Sequence, residues 1–114
     1  MQVTCVEWTR EELKATLEEA RKQSVRNIMC LRGDASASSH LPSAFDTAAE
    51  LVKFVRQEFG NSFCIAVAGY PEGCLGLGRE SPEYQADLQA LKAKVCFFSL
   101  ADSHSICCAT IDYY

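Results

Sequence analysis

The feature that most constrains the fold is a strand-like apolar run followed by a helical stripe, a pattern that occurs three times. Residues 3–6, 27–31 and 63–68 are largely apolar runs of strand length. After each run, apolar residues recur every three or four positions, as they do along the buried side of a helix. The three stripes are Leu13, Leu17 and Ala20; Ala48, Val52, Val55 and Phe59; and Tyr84, Leu88, Leu91 and Val95. This alternation predicts parallel strands joined by right-handed helical crossovers, which is an α/β fold. Spacing alone leaves open whether the units form an open doubly wound sheet or an arc of a barrel.

Capping signals predict where the first two helices begin and end. Thr9 and Glu12 have the spacing of a capping box, in which each side chain satisfies a backbone N–H of the other residue. Ser43 and Asp46 repeat that spacing, so the second helix is expected to begin near Ser43. Gly60 follows the stripe of that helix, at the position where a residue able to adopt positive φ commonly ends a helix.

The regular pattern ends near residue 95. The third helix is expected to open at Ser81-Pro82, a natural N-cap and first-turn pair, and to carry its stripe as far as Val95. Residues 96–100 could form one more short strand, and residues 101–114 carry neither a helical stripe nor turn signals. We therefore expect residues 1–95 to hold the βα units and residues 96–114 to be a divergent tail.

The composition argues against two classes of partner. The chain has 114 residues, enough for one domain, and a net charge of −4. Its eleven basic residues are scattered among fifteen acidic ones and form no basic stripe, so nucleic-acid binding is not expected. No apolar stretch approaches the ~20 residues that a membrane-spanning helix needs. No membrane association is therefore expected, and the strand-like first residues show no signal-peptide pattern.

The seven cysteines bear on the compartment and on metal binding. Cys5, Cys30 and Cys64 lie inside or beside the strand-like runs, where small buried hydrophobic residues are the favoured interpretation. A disulfide framework suits secreted, loop-rich chains, so the regular βα pattern favours the reducing cytoplasm. His104 and the Cys107-Cys108 pair lack the ligand spacing of a zinc site, and no metal is expected.

Two of the strand-like runs end in polar turns that could hold a ligand. Residues 27–31 run into Arg32-Gly33-Asp34, and residues 65–68 run into a Gly-Tyr-Pro-Glu-Gly turn that contains Tyr70. The carboxyl ends of parallel strands meet at one edge of a sheet, and α/β folds bind their ligands at that edge. These two turns are therefore the best candidates for a functional site.

Each candidate also has an ordinary structural explanation. Arg32 could bind a phosphate through two hydrogen bonds, or it could be a solvated surface arginine. Gly33 permits close approach of a ligand, or merely a turn. Asp34 could point into a ligand site or form an Asx-turn, and Tyr70 could stack on an aromatic cofactor or cover the rim of the core.

Asp87 and Lys94 are a further candidate pair. They are seven residues apart, two helical turns, and so share one face of the third helix. Lys94 is expected in the last turn of that helix, where the helix dipole favours a cation, and ordinary surface charge is the alternative explanation for the pair.

Four blocks of this sequence, taken together, resemble the methylenetetrahydrofolate reductase family. The blocks are residues 27–34, 45–52, 66–73 and 85–95, preceded by the strand Val3-Thr4-Cys5. They occur in the family's order, and the resemblance covers residues 1–95. It implies a flavin-containing (β/α)8 TIM barrel, of which this chain would form a part, with about three βα units and parallel strands. It also implies an oxidoreductase that passes a hydride from NAD(P)H through FAD to 5,10-methylenetetrahydrofolate, giving 5-methyltetrahydrofolate for one-carbon and methionine metabolism.

The resemblance assigns roles to individual residues. Asp34 would lie beside the flavin, tune it electrostatically and face the folate, which makes it the expected catalytic residue. The positions that match the family's FAD contacts are Arg32, Gly33, Asp34, Thr47, Ala48, Tyr70, Asp87 and Lys94. The chain departs from the family pattern at Gln2, where a histidine is usual, at Thr47, where a tyrosine is common, and at residues 74–76, where a His-Pro-Glu run is usual.

The length implies a fragment of that barrel. A complete (β/α)8 barrel needs roughly 250 residues, so we expect a truncated chain that is inactive alone. The alternative is a non-catalytic fragment or interaction domain that has lost flavin binding. Three strands cannot close a barrel, and their unpaired edges predict self-association, for example as a homo-oligomer.

Overall fold

The computed structural model describes residues 1–33, 43–69, 80–99 and 109–110, with side chains described as far as Lys94. Strands and helices alternate along this part of the chain. The elements are β1 (Gln2–Thr4), α1 (Arg10–Lys22), β2 (Asn27–Leu31), α2 (Ala48–Phe59), β3 (Cys64–Gly69), α3 (Pro82–Ser99) and β4 (Ala109–Thr110). No helix among the described residues is both long enough and apolar enough to cross a membrane.

The described strands form one parallel sheet in the order β1-β2-β3-β4. In its register Val3 lies opposite Cys30, and Cys30 lies opposite Val67. The predicted α/β fold with three βα units and parallel strands is confirmed. The parallel order also brings the carboxyl ends of β1, β2 and β3 to one edge.

One face of the sheet is the core of the molecule. Alternate strand residues point to opposite faces, and the buried set packs against the apolar sides of α1 and α2 in a single cluster. The cluster includes Val3, Ile28, Cys30, Ile65 and Val67 from the strands and Leu13, Leu17, Leu51, Val52, Val55 and Phe59 from the helices. The predicted stripes of the first two helices are thus confirmed.

The opposite face of the sheet is only partly covered. Thr4, Met29, Leu31 and Ala66 lie at the alternate positions of the strands, and all four are intermediate in exposure. In a closed barrel this face would line the interior. Helix α3 is also less deeply packed than α1 and α2, because the described part of its stripe (Tyr84, Leu88, Leu91) is half-buried.

The first helix begins as its capping signal predicts. The Thr9 amide donates to Glu12 Oε2 at 2.9 Å, and the Glu12 amide donates to Thr9 Oγ1 at 3.3 Å. The Thr9 hydroxyl also donates to Glu12 Oε2, at 2.9 Å. The hydrogen bonds that this carboxylate accepts from the Thr9 amide and hydroxyl hold the pKa of Glu12 below its usual value. Gly60 ends α2 with φ +53°, and its amide donates to the carbonyl of Arg56 at 3.0 Å, as expected for a helix C-cap.

The prediction that α2 begins near Ser43 is wrong, because the helix starts at Ala48 with Thr47 as its N-cap. Thr47 Oγ1 accepts from the Glu50 amide at 3.2 Å. Ser43 instead forms an antiparallel bridge with Val6, and its hydroxyl donates to the Phe45 carbonyl at 2.8 Å. A tertiary contact to the β1–α1 connection thus takes the residue that sequence spacing assigned to the cap.

The expected short strand over residues 96–100 is wrong for residues 96–99, which continue α3 to Ser99; Leu100 lies outside the described residues. Extending an existing helix requires no new nucleus, and a short apolar run does not distinguish strand from helix. The fourth strand comes later, where Ala109 and Thr110 pair with Ala68 and Gly69. Helix α3 crosses the predicted boundary at residue 95, and the view of residues 96–114 as a divergent tail stays a prediction.

The difference in packing between α1 and α3 gives a prediction for stability. Leu17 is fully buried, so Leu17→Ala should lower the free energy of unfolding by about 2–5 kcal/mol. Leu88 is half-buried, and Leu88→Ala should lower it by only about 1 kcal/mol. Urea unfolding followed by circular dichroism measures both variants. Equal losses would show that α3 is as firmly packed as α1.

Candidate functional site

A cleft of about 870 Å³ lies at the carboxyl ends of the strands, between the sheet edge and the helices α2 and α3. Residues from all three βα units line it. It brings together six of the residues predicted to bind a cofactor: Arg32, Gly33, Thr47, Ala48, Asp87 and Lys94. Asp34 and Tyr70, the other two predicted site residues, lie outside the described residues.

Lys94 connects α3 to the end of β3. Its Nζ donates to the carbonyl of Ala68 at 3.2 Å, and both residues line the cleft. Burial lowers the pKa of Lys94, while the carboxylate of Asp87 two turns earlier acts in the opposite direction. The ammonium is therefore a partly desolvated cation, whose charge is less screened than that of a surface lysine.

Gly33 packs directly against the end of β1. Its φ is +80°, and a Cβ at this position would lie 2.8 Å from Val6 Cγ2 and 3.2 Å from Thr4 Cβ. Both the turn geometry and the close approach therefore require glycine. This contact fixes the backbone that follows β2, where the exposed side chain of Arg32 lines the cleft.

The amino end of α2 forms another wall of the cleft, through Thr47, Ala48 and Ala49. The first N–H groups of a helix have no partner within the helix, and the helix dipole makes this end positive. The hydroxyl of Thr47 caps the helix through Glu50, so the N-cap and the cleft wall are the same residue. An anionic group at this end of α2 would be stabilised.

The charges around the cleft are of both signs. Arg32 and Lys94 are cations, and the carboxylates of Asp46 and Asp87 are hydrogen-bond acceptors. This combination suits a ligand that carries both anionic groups and hydroxyl donors. Phosphate and sugar hydroxyls in one molecule have this chemistry.

The sequence reasoning missed several lining residues, including Thr4, Asp46, Ala68, Ala90 and Ala93. Ala90 carries a signal that helical spacing provides, since it follows Asp87 by three residues and precedes Lys94 by four. The position of Asp46 depends on where α2 begins. Asp46 was not recognised as a lining residue because α2 was expected to begin near Ser43 and not at Ala48.

Cys5 and Cys30 are fully buried free thiols, as predicted, whereas Cys64 is intermediate in exposure. Burial raises the pKa of Cys5 to about 11 and that of Cys30 to about 12. Both therefore stay protonated at neutral pH and are poor nucleophiles. Among the residues described, no group of three His, Cys, Asp or Glu side chains could hold a metal ion, and His104, Cys107 and Cys108 lie outside them.

A parallel sheet with a mixed-charge cleft at its strand ends is the arrangement in which α/β folds bind ligands. The family model described as methylenetetrahydrofolate reductase matches residues 1–97, and the chain belongs to this family.

Three relatives illustrate the extent of the similarity. The chain is 36% identical over 95 residues to a probable methylenetetrahydrofolate reductase (NADPH) of Caenorhabditis elegans, covering 82% of this chain and 14% of the relative. It is 36% identical over 104 residues to methylenetetrahydrofolate reductase (NADH) 1 of Arabidopsis thaliana, covering 83% and 18%. It is 37% identical over 93 residues to the 5,10-methylenetetrahydrofolate reductase of Salmonella typhimurium, covering 82% and 29%. The chain thus spans less than a third of the length of each of these relatives.

The close packing of Gly33 predicts an unusually large effect of a single methyl group. Gly33→Ala combines a strained backbone with a clash against Val6 and should lower the free energy of unfolding by about 3 kcal/mol. Gly60→Ala is the matched control, because Gly60 also has positive φ but a Cβ there would meet open space. The control should lose about 1–2 kcal/mol in the same denaturant measurement. Equal losses in the two variants would argue against the contact of Gly33 with β1.

The buried thiols predict a loss of stability in alkaline solution. The unfolded thiol titrates near pH 9.0, whereas folded Cys30 keeps its proton to about pH 12. Between these values the folded state binds more protons, so the free energy of unfolding should fall as the pH rises above 9. Cys30→Ala should make this decline less steep, and the difference at pH 7 gives the pH-independent cost of lost packing. Parallel declines in the variant and the unaltered chain would contradict the raised pKa.

Proposed function

We propose that the cleft is one side of an FAD site in a reductase that converts 5,10-methylenetetrahydrofolate to 5-methyltetrahydrofolate with NAD(P)H. One observation carries the proposal. The six described positions that match FAD contacts of the family come from two separate βα units, yet all of them line a single cleft. Arg32, Gly33, Thr47 and Ala48 belong to the second unit, and Asp87 and Lys94 belong to the third. Membership of the family supplies the reaction, since the relatives are named as reductases of this folate.

The residues present suit a flavin dinucleotide. Its pyrophosphate needs cations and N–H donors, which Arg32, Lys94 and the amino end of α2 supply at one place. Its ribose and ribityl hydroxyls need acceptors, which Asp46 and Asp87 provide. The small side chains of Ala90 and Ala93 leave room beside α3 for a bulky ligand. The donor set therefore fits the group that the family resemblance implies.

When bound, FAD supplies the hydride-transfer chemistry between the nicotinamide and the folate. The residues of this chain bind and orient it. Asp34, which follows Gly33 in the sequence, is the proposed catalytic residue, and its carboxylate would bias the electrostatics of the flavin ring. Lys94, held by the Ala68 carbonyl, keeps a cation at the end of β3 for the phosphates.

The relatives bear on two further points: which reductant is used, and whether this chain can carry out the reaction alone. Relatives are named for both NADPH and NADH, so we assign NAD(P)H without choosing between them. The chain spans 14% of the nematode relative and 29% of the bacterial one, so we propose that it does not complete the reaction alone. The buried, protonated thiols of Cys5 and Cys30 agree with a reducing cytoplasmic location.

A non-catalytic interaction domain is the second candidate. The partly exposed sheet face around Met29, Leu31 and Ala66 favours it, since apolar strand residues at this depth usually meet a partner layer. Self-association, as a homo-oligomer, would be one way to cover this face. This candidate predicts that the chain takes up no flavin.

Lys94→Met tests the flavin site. The variant should bind FAD about tenfold more weakly, because it lacks the cation at the end of β3. Its stability without ligand should not fall correspondingly, since burial already disfavours the charged form of Lys94. Titration of the chain with FAD, followed by flavin fluorescence and absorbance, measures the affinity, and urea unfolding measures the stability.

Lys92→Met is the matched control, because Lys92 is an exposed lysine of the same helix and does not line the cleft. It should bind FAD as the unaltered chain does. Equal affinity in Lys94→Met and the unaltered chain would contradict the assigned role of Lys94. Failure of the unaltered chain to take up any flavin would instead support the interaction domain.

A further inference from the structure

Two arginines of α1 lie over aromatic rings of the neighbouring unit, one near each end of α2. The guanidinium carbon of Arg10 lies 4.9 Å from the centroid of the Phe45 ring, just before α2 begins. The guanidinium carbon of Arg21 lies 5.8 Å from the centroid of Phe59, the last residue of α2. The two contacts have the same chemistry at opposite ends of the core, and only the first lies on the side of the cleft.

Arg10 makes a second contact that Arg21 does not show. Its Nε donates to the carbonyl of Ala44 at 3.2 Å, so the guanidinium holds both the backbone and the ring of the segment entering α2. The Ala44 amide donates to the Cys5 carbonyl at 3.0 Å on the other side. The Phe45 ring is 5% exposed and packs on Phe54 of α2, with 5.1 Å between the ring centroids. Contacts with Arg10, Cys5 and Phe54 thus hold residues 44–45, the segment that enters α2.

The position of Arg10 is not explained by the stability of its own helix. It is the first residue of α1, where the helix dipole disfavours a cation and where Glu11 and Glu12 are the favourable charges. Its side chain also does not line the cleft. The guanidinium is a plane that can stack on a ring while its N–H groups donate, which a lysine ammonium cannot do.

The segment that Arg10 holds leads directly into the cleft wall. Asp46, Thr47 and Ala48 follow Phe45 in the chain, and all three line the cleft. A displacement of Phe45 would move the N-cap of α2 and the helix end that faces the ligand. We propose that Arg10 is a positioning residue, which holds the amino end of α2 in place for the ligand of the cleft. The identity of that ligand as FAD rests on the proposed function.

Amide hydrogen exchange tests the positioning role without any ligand. The amides of Ala44, Glu50 and Leu51 donate to Cys5, Thr47 Oγ1 and Thr47 O, and they report on the amino end of α2. In Arg10→Ala they should exchange about tenfold faster, while the Gly60 amide at the other end should be unchanged. Arg21→Ala, the matched control, should leave Ala44, Glu50 and Leu51 at the unaltered rates.

Titration with FAD tests the consequence for the site. Arg10→Ala should raise the dissociation constant roughly five- to tenfold, whereas Arg21→Ala should leave it unchanged. Arg10→Lys should lie between the unaltered chain and Arg10→Ala, because it keeps the charge but not the planar donor. This variant also keeps the comparison informative if Arg10→Ala folds poorly.

The outcomes separate this inference from the proposed function. Unchanged exchange at Ala44, Glu50 and Leu51 in Arg10→Ala, or equal effects of the two alanine variants, would overturn the role of Arg10. Faster exchange with unchanged FAD affinity would overturn its relevance to the ligand. If the unaltered chain binds no FAD, the proposed function fails, and the exchange rates alone decide whether Arg10 holds the amino end of α2.

Discussion

The parallel pairing of β1, β2 and β3 is the interaction on which both the core and the cleft depend. In this register Val3, Cys30 and Val67 form one buried row across the sheet, over which α1 and α2 pack. A slip of one residue would turn every strand side chain to the opposite face. The hydrophobic pattern that buries this row therefore also determines which strand ends reach the cleft. The packing of the core therefore also determines where the cleft lies.

Two contacts shape the cleft at the sheet edge, and both have a cost for the fold. Gly33 accepts a backbone conformation that disfavours other residues in order to lie against Val6. Lys94 keeps a partly desolvated ammonium on the Ala68 carbonyl. Neither arrangement is what stability alone would select, since an apolar side chain would fill the place of Lys94 without losing hydration. Local features that reduce stability are expected where a chain binds a ligand.

The bounds of β2, the capping box at Thr9 and the buried stripes of α1 and α2 follow from local pattern, because each is visible as a spacing of residues within one element. The start of α2 does not follow in this way. Ser43 and Thr47 both offer a hydroxyl three residues before a carboxylate, and only the bridge from Ser43 to Val6 decides between them. The grouping of Arg32, Thr47 and Lys94 required the family resemblance, since it joins a loop, a helix start and a later helix of two units that no spacing rule relates.

The contacts of α3 link the stability of the fold to the proposed binding of a ligand in the cleft. Its described apolar stripe is half-buried, and its side-chain contacts with β3 include Lys94 on the Ala68 carbonyl and Leu91 near Gly69, at the end of the strand that borders the cleft. A ligand that spans the amino end of α2 and the Asp87–Lys94 face of α3 would bridge the firmly packed part of the molecule and the loosely packed part. Binding to the folded state alone adds a stabilising term that grows with ligand concentration over the dissociation constant. Because the described apolar stripe of α3 is half-buried, whereas those of α1 and α2 are buried, the attachment of α3 to the sheet should gain stability from such a bridge.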